Sequence, residues 1–408
     1  MRWRLSILLF LQFFVWGGWF VTLGSYLAHS LSASGAQIGA AYATQSWGAI
    51  FAPLLVGLVA DRYLNAERLL AGLHLVGGGL LLTLASVTTF NRFLPLLLTY
   101  MVLYMPTLAL ANSICFQQLR DPARDFARVR IWGTIGWIVA GLVISYVFTW
   151  DSPASLTRGF LRKTFTMCGL CSLVLALYSL TLPKTHPRGR NGGRVKLRDV
   201  FGVNALTLLA ERNFLVFFCS SILICIPLAF YYQHTNQFLT ELSVENPAGK
   251  QTLGQISEVL FMLALPVFLR RFGMKVTLLV GMAAWVVRYL CFAYGDAGPS
   301  MYMLLIGIAL HGVCYDFFFV SGQIYIDFKA GATVKSAAQG LITLATYGLG
   351  MLIGFFVAGR ITDLYAAPLQ HDWKRIWIYP SMFAGLILVF FALSFRNEAV
   401  RNVDKHQA

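Results

Sequence analysis

Residues 376–395 have the sequence IWIYPSMFAGLILVFFALSF, twenty residues without a charged side chain. A helix rises about 1.5 Å per residue, so about 20 apolar residues cross a hydrocarbon core about 30 Å thick. Because lipid offers no water to exposed backbone groups, such a stretch must be helical to satisfy them. The stretch therefore predicts a membrane-spanning helix.

Stretches of similar length and apolarity follow one another along nearly the whole chain. Of the 408 residues, 58% are hydrophobic and only 12% are charged, which excludes an ordinary soluble protein. We predict an all-α membrane protein with twelve transmembrane helices. The predicted spans are 5–30, 37–60, 67–89, 93–115, 130–150, 164–182, 214–239, 253–270, 275–294, 301–325, 337–359 and 376–395.

The longest connection between spans divides this pattern into two six-helix halves. It begins with Pro183 and is rich in Pro, Gly and Arg, which is typical of a linker. The predicted domains are an N-terminal bundle at 1–182, a cytoplasmic linker at 183–213, a C-terminal bundle at 214–396 and a cytoplasmic tail at 397–408. Equal halves around a central linker indicate a transporter built from two repeats.

The formal net charge of +15 could indicate nucleic-acid binding, but the placement of the charges argues against it. Most Lys and Arg residues fall in loops on the side that carries both termini, which is the positive-inside pattern. The basic run 184–198 is better explained as a cytoplasmic loop near anionic lipid. We predict a multi-pass membrane protein with both termini cytoplasmic. Its expected partners are membrane lipids and no nucleic acid, and it is expected to be a monomer.

The fifth predicted span begins with a polar face. Arg130, Thr134 and Trp137 have i, i+4 and i+7 spacing, so they lie on one side of a helix. They offer a cation with five donors, a hydroxyl and a flat aromatic ring, which could line a cavity for a polar solute. In the alternative, Arg130 extends to the cytoplasmic interface and Trp137 only packs.

Ionisable side chains inside spans are costly, so each is a candidate functional residue. Gln255 and Glu258 share a face of the eighth span, and Asp316 lies among aromatic residues in the tenth. Burial in lipid favours a neutral carboxyl, which suits Glu258 and Asp316 for carrying a proton. Glu258 could instead form a structural pair with an Arg. Arg288 in the ninth span could pair with a carboxylate or reach an interface.

Polar and aromatic side chains in two other spans could contact a flat solute. His311 and Tyr315 have i, i+4 spacing and could hydrogen-bond or stack with it, although a packing histidine is an equal alternative. Gln12, Trp16 and Trp19 share a face of the first span. Amides and aromatic rings suit a heterocycle, and helix packing explains the same stripe equally well.

Catalytic and metal-binding signatures are absent from the sequence. There is no Gly-rich phosphate loop, no His/Cys metal spacing and no nucleophile elbow. The carboxylates are scattered over separate helices, with no nucleophile beside a base. We therefore predict that the chain is not an enzyme, binds no metal and uses a proton gradient rather than a cofactor.

A short charged turn follows the second span. It contains Gly57, Asp61 and Arg62, and it resembles the Gly-x-x-x-Asp-Arg turn of the major facilitator superfamily, with Leu64 where that motif usually has Gly. A second charged turn, 269–275, follows the eighth span at the corresponding place in the second half. The two turns form a weak internal repeat.

At several segments the chain resembles the nucleoside:proton symporter family of that superfamily, and within it a subgroup of nucleoside transporters assigned by similarity. The segments are 14–26, 104–113, 130–136, 255–258, 315–318 and 338–340. The resemblance implies twelve helices, a central site between two halves and proton-driven nucleoside import. With it, we expect the protein to lie in the bacterial inner (plasma) membrane.

The resemblance also implies roles for the candidate residues. The positions of Arg130, Thr134 and Trp137 line the site, and those of Gln255 and Glu258 bind nucleoside through its ribose hydroxyls. The Asp316 position couples transport to protons, beside an aromatic residue at Tyr315.

The chain departs from the family where other members bind with amide side chains. Ala229 and Tyr232 stand at those positions, and His311 stands where a Tyr is usual. The substrate is therefore expected to be a nucleoside, with a different nucleoside range or a modified one as alternatives. A proton-coupled carrier of another small polar metabolite, such as a sugar or glycoside, is the second alternative.

Overall fold

The computed structural model describes residues 1–55, 64–186, 203–367 and 370–396. Nearly all residues in these ranges are helical, and no strand occurs among them. Ten helical stretches in the described ranges are long and apolar enough to cross a membrane. The predicted turn motif of Gly57, Asp61 and Arg62 and the predicted tail 397–408 lie outside the described residues, as does most of the basic run.

The described residues of the first part of the chain contain six long helices and a short one at Pro153–Thr157. The long helices are α1 (Arg2–Leu31), α2 (Gly35–Leu55), α3 (Ala66–Leu84), α4 (Phe90–Gln118), α5 (Pro122–Leu142, continued by a π-helical turn at Val143–Val147) and α6 (Arg162–Leu180). The helix α5 begins eight residues before its predicted start, because Asp121 accepts a hydrogen bond from the Arg124 N–H and Pro122 occupies the first helical position.

The described residues of the second part contain six more long helices, two of which end at a glycine. The helix α7 is Arg212–Glu241. The stretch Pro247–Tyr294 is divided at Gly273 (φ 76°) into α8 and α9. The helix α10 is Met301–Gly331, with Gly331 at φ 61°, α11 is Ala337–Leu364, and α12 is Trp373–Ser394. Glycine suits both breaks because it has no Cβ to oppose a positive φ. Each of the twelve predicted spans thus has a helical counterpart in the described chain.

Between the two parts, the later described residues of the linker form a 3-10 helix at Val203–Ala210. At the other described end of the linker, residues 183–186 pack against α3. Thr185 donates its N–H to Glu67 Oε2 at 2.8 Å, and the Thr185 carbonyl accepts the N–H of Ala66. A 3-10 helix makes tighter turns and is used in short connections.

The chain divides into two compact units. Unit 1 comprises Met1–Val200, Ala229–Thr252 and Met351–Ala366, and unit 2 comprises Phe201–Leu228, Leu253–Gly350 and Ala367–Ala408. Unit 1 therefore contains segments of α7, α8 and α11 as well as α1 to α6. In unit 2, the Tyr289 and Trp377 rings stack with centroids 5.6 Å apart and join α9 to α12.

The core of unit 1 holds a buried polar network that joins four helices. His74 contacts Gln12 Oε1 through Nε2 (2.8 Å) and Ser172 Oγ through Nδ1 (2.9 Å), and Gln12 Nε2 donates to Thr107 Oγ1 (2.7 Å). Buried polar groups are stable when they are paired in this way. Gln12 therefore has a packing role, one of the two predicted alternatives for its face.

Candidate functional site

The polar face of α5 lies in unit 1, and all three of its predicted residues are half-buried. Arg130, Thr134 and Trp137 remain on one side of the helix. The Arg130 Cζ lies 4.2 Å from the centroid of the Phe13 ring, a cation–π contact. A Cβ at Gly133 would lie 2.7 Å from both Arg130 Nη1 and Phe13 Cδ2, so glycine leaves room for this arrangement of the guanidinium and the ring. Arg130 is thus held by α1, well inside a helix that begins at Pro122.

Aromatic rings surround this face on the unit 1 side. The Trp16 and Trp137 centroids are 5.5 Å apart, and Phe20 lies 6.2 Å from Trp137 and 6.0 Å from Tyr232 of α7. All three contacts are edge-to-face, an arrangement that aromatic pairs favour. Trp16, Trp137 and Tyr232 are half-buried, whereas Phe20 is buried.

The sequence predicted Trp16 as a candidate solute contact, but its neighbours Phe13 and Phe20 were not predicted. The three have i, i+3 and i+7 spacing along α1, which was visible in the sequence. The predicted stripe of Gln12, Trp16 and Trp19 also divides in the structure. Trp19 is 1% exposed and stacks on Phe165 with centroids 5.9 Å apart.

Asp316 lies in unit 2, in the middle of α10. It is fully buried, and neither carboxylate oxygen has a hydrogen-bond partner among the described residues. It begins a π-helical turn, Asp316–Val320. Such turns are rare and frequently occur at functional sites. They also widen the helix, so the regular spacing assumed in the sequence does not hold beyond Tyr315.

Glu258 of α8 is near Asp316 because α8 and α10 approach closely at a glycine. A Cβ at Gly312 would lie 2.6 Å from the Glu258 backbone nitrogen, and Ser257 Oγ donates to the carbonyl of Ala309. Glu258 is near enough to Asp316 for the two carboxylates to repel each other when both are ionised. Glu258 and Gln255 are both half-buried, one turn apart.

His311 and Tyr315 have different surroundings in unit 2. His311 is 2% exposed, and its Nδ1 lies 3.1 Å from Nη1 of the fully buried Arg288. Tyr315 is half-buried, and its hydroxyl lies 2.7 Å from that of Tyr347, which belongs to another π-helical turn, Leu344–Gly350. The structure thus places the Arg288 guanidinium beside an imidazole in the interior of unit 2, and not at an interface.

No group of three or more His, Cys, Asp or Glu side chains placed to hold a metal ion occurs in the described ranges. The chemistry that these ranges offer is proton binding at carboxyl groups, hydrogen bonding and aromatic stacking.

One buried carboxylate lies outside the spans. Asp151 follows α5, is 2% exposed, and accepts hydrogen bonds at Oδ2 from Ser145 Oγ and from the Ala248 N–H (3.0 Å). Burial raises the pKa of the Asp151 carboxyl above its ordinary value, and these hydrogen bonds and the Lys250 ammonium oppose that rise only in part.

The raised pKa of Asp151 predicts a pH dependence of stability. The folded chain holds the proton of the Asp151 carboxyl more tightly than the unfolded chain does. The free energy of unfolding therefore falls as the pH rises from about 4, where an ordinary Asp titrates, to above the raised pKa of the folded state. Asp151→Asn should remove this contribution. Thermal unfolding in detergent across that pH range measures it, with Asp296→Asn in an exposed loop as the control. An unchanged pH slope in Asp151→Asn would contradict the prediction.

Comparison with known proteins identifies the family. A family model described as Nucleoside H+ symporter matches residues 1–400. The chain belongs to the nucleoside H+ symporter family. YegT of Escherichia coli strain K12 is 41% identical over 401 residues, which cover 96% of this chain and 93% of YegT. The nucleoside permease NupG of the same strain is 32% identical over 413 residues, which cover 98% of this chain and 96% of NupG.

A solved structure agrees with this assignment. The crystal structure of the nucleoside transporter NupG matches this fold with a TM-score of 0.87 at 31% identity, covering 97% of this chain and 99% of that one. The predictions of an all-helical major facilitator fold, of a multi-pass membrane transporter and of the family are confirmed. The prediction that the chain is not an enzyme is confirmed by its relatives, which are permeases.

Proposed function

We propose that this family member imports nucleosides together with protons by alternating access. The observation that carries the proposal is Asp316, a fully buried carboxyl without a hydrogen-bond partner in the described chain, in a transmembrane helix of a nucleoside H+ symporter. An unpaired charge is costly there, so Asp316 is stable in the helix when it carries a proton.

The other candidate residues have complementary roles in this proposal. Arg130, Gln255 and Glu258 hold the hydroxyl and other polar groups of the solute, and Thr134 adds a further hydroxyl. Trp137 stacks on the base, with Trp16 and Tyr232 as additional ring faces, and Tyr315 contacts the solute beside Asp316. His311 lies one turn before Tyr315 on α10, beside Arg288, and is a further proposed contact to the solute.

The transport cycle follows from the behaviour of two neighbouring carboxyls. Asp316 takes a proton from the outside, which removes its repulsion with Glu258 and leaves Glu258 ionised to accept hydrogen bonds from ribose hydroxyls. After the change of access, the solute leaves and Asp316 releases its proton to the cytoplasm. The proton gradient thereby drives accumulation without a bound cofactor.

The remaining features of the proposal concern the setting of the transporter. It lies in the bacterial inner membrane as a monomer surrounded by lipid, with both termini cytoplasmic. Residues 183–213 form the proposed cytoplasmic linker between the two six-helix bundles. Their basic side chains lie close to anionic lipid in this proposal.

The proposal is tested by uptake of a panel of labelled nucleosides in cells that lack their own nucleoside carriers. We expect accumulation of at least one nucleoside above its external concentration, and loss of accumulation when a protonophore is added. Excess unlabelled sugars and glycosides are added in parallel. If one of these compounds inhibited uptake of the label and no unlabelled nucleoside did, the result would instead support a sugar or glycoside carrier.

A further inference from the structure

A run of five polar side chains on α7 is buried in unit 1. Residues 233–237 have the sequence QHTNQ, and none of the five is more than 2% exposed. Ser25 Oγ of α1 donates to Asn236 Oδ1 at 2.6 Å, and Thr362 Oγ1 of α11 lies 2.9 Å from His234 Nε2. Consecutive residues point in all directions around a helix, so this turn of α7 is polar on every side. Such a turn suits a helix that is wetted in another state of the transporter.

A carboxylate joins α11 to α2 close to this run. Asp363, in the last turn of α11, accepts the backbone N–H of Gly35 at Oδ1 (2.6 Å) and that of Ala36 at Oδ2 (2.8 Å). These are the first two residues of α2, where helix N–H groups have no partner in their own helix. The contact therefore links the eleventh helix to the start of the second.

A second carboxylate makes the corresponding contact between α5 and α8. Asp151, just after α5, accepts the N–H of Ala248, and Ser145 Oγ accepts that of Gly249 at 2.7 Å while donating to Asp151. Ala248 and Gly249 lie in the first turn of α8, which begins at Pro247. Asp151 thus satisfies a helix start in the later part of the chain, as Asp363 does in the earlier part.

The two contacts correspond to each other in the order of helices. Each connects the second helix of one set of six to the fifth helix of the other set, α2 with α11 and α8 with α5. Glycines bring the backbones close in both pairs. A Cβ at Gly35 would lie 2.5 Å from the Gly359 carbonyl oxygen, and a Cβ at Gly249 would lie 3.0 Å from the Ser145 Cβ.

We propose that Asp151 and Asp363 are a matched pair of gate residues, which hold the outer ends of α2, α5, α8 and α11 together over the polar run of α7 and release them when the transporter opens outward. The inference rests on the proposed function for its direction, because cytoplasmic termini place the α1–α2, α5–α6, α7–α8 and α11–α12 connections on the outer side.

The chemistry of these contacts suits repeated opening. A carboxylate at a helix start gains charge-assisted hydrogen bonds and a favourable interaction with the helix dipole. On opening, water can replace both partners, because the N–H groups and the carboxylate become exposed together. The polar run 233–237 is then hydrated, whereas an apolar surface there would resist wetting.

The test measures access to Ser25, which is fully buried under this gate. Ser25→Cys is introduced, and intact cells are treated with a membrane-impermeant maleimide; the same chain with Ser25 retained corrects for the seven native cysteines. We expect slow labelling in the Ser25→Cys parent. Adding Asp151→Ala or Asp363→Ala should increase the labelling rate about tenfold, and the two changes together should increase it further.

Asp372→Ala is the matched control. Asp372 also accepts a backbone N–H at a helix start, from Arg375 at 3.1 Å, but this helix is α12, which directly follows Asp372 in the chain. Removing the Asp372 carboxylate should therefore leave the labelling rate unchanged. Asp151→Asn and Asp363→Asn keep an acceptor oxygen and the side-chain shape, and they replace any alanine variant that fails to reach the membrane. We expect them to give a smaller increase.

Three results would overturn the inference. The first is a labelling rate equal to that of the parent in every Asp151 and Asp363 variant that reaches the membrane. The second is an equal increase in the Asp372 control. The third is labelling only in inverted vesicles, in which the maleimide reaches the cytoplasmic side. The labelling test requires no solute. Failure of nucleoside uptake would therefore count against the proposed function without deciding the labelling result.

Discussion

Asp316→Asn is expected to abolish proton-driven accumulation while sparing solute binding and exchange. A membrane potential of 100 mV contributes about 2.3 kcal/mol per charge moved, enough for about 50-fold accumulation at about 1.4 kcal/mol per tenfold. An amide has nearly the shape of a protonated carboxyl but cannot release a proton. The ratio of internal to external nucleoside should therefore fall from about 50 to about 1.

The measurement is made in membrane vesicles with an imposed proton gradient and labelled nucleoside. Counterflow in vesicles preloaded with unlabelled nucleoside, without a gradient, reports exchange in the same preparation. Asp296→Asn, an exposed carboxylate between α9 and α10, is the control and should accumulate nucleoside normally. If Asp316→Asn still concentrated nucleoside against its gradient, the proton site would have to lie elsewhere, with Glu258 as the next candidate.

Substitution of Arg130 is expected to have the second largest effect, on solute capture. Its guanidinium is oriented by the Phe13 ring and by the space at Gly133. A hydrogen bond from a charged donor contributes about 1.5–3 kcal/mol. Arg130→Gln should lower kcat/KM for nucleoside by about 10- to 150-fold. Arg130→Lys should recover only part of the loss, because an ammonium lacks the planar fork of donors.

Initial uptake rates measured over a range of nucleoside concentrations give this ratio. Arg128→Gln is the matched control: it lies on the same helix, two residues away, and its side chain is exposed. Its uptake should equal that of the parent once rates are corrected for the amount of protein in the membrane. Parental efficiency in Arg130→Gln would contradict a role in solute capture and would favour the alternative considered from the sequence, in which Arg130 extends to the cytoplasmic interface.

Much of the candidate site was predicted from local sequence alone. The i, i+4 and i+7 spacing of Arg130, Thr134 and Trp137 already places them on one helix face. The aromatic neighbours of Asp316 predict its burial. Both inferences need only a few turns of one helix, within which periodicity determines direction.

Other parts of the site required contacts between distant segments. Gln12 was a candidate for solute contact, but it pairs with His74 and Thr107, which are 62 and 95 residues away. Arg288 lies beside His311, which is 23 residues away. Helical periodicity does not show which neighbour a given face meets, so these partners were not predictable.

The sequence by itself determined that the chain crosses the membrane as about a dozen helices, because lipid leaves an apolar segment no other way to satisfy its backbone. It also identified Asp316, since an ionisable group in such a segment is too costly to be incidental. Only the tertiary structure decided that Asp316 begins a π-helical turn and that Asp151 and Asp363 each hold the start of a distant helix. Those features depend on packing between helices, and their partners lie 97 and 328 residues apart along the chain.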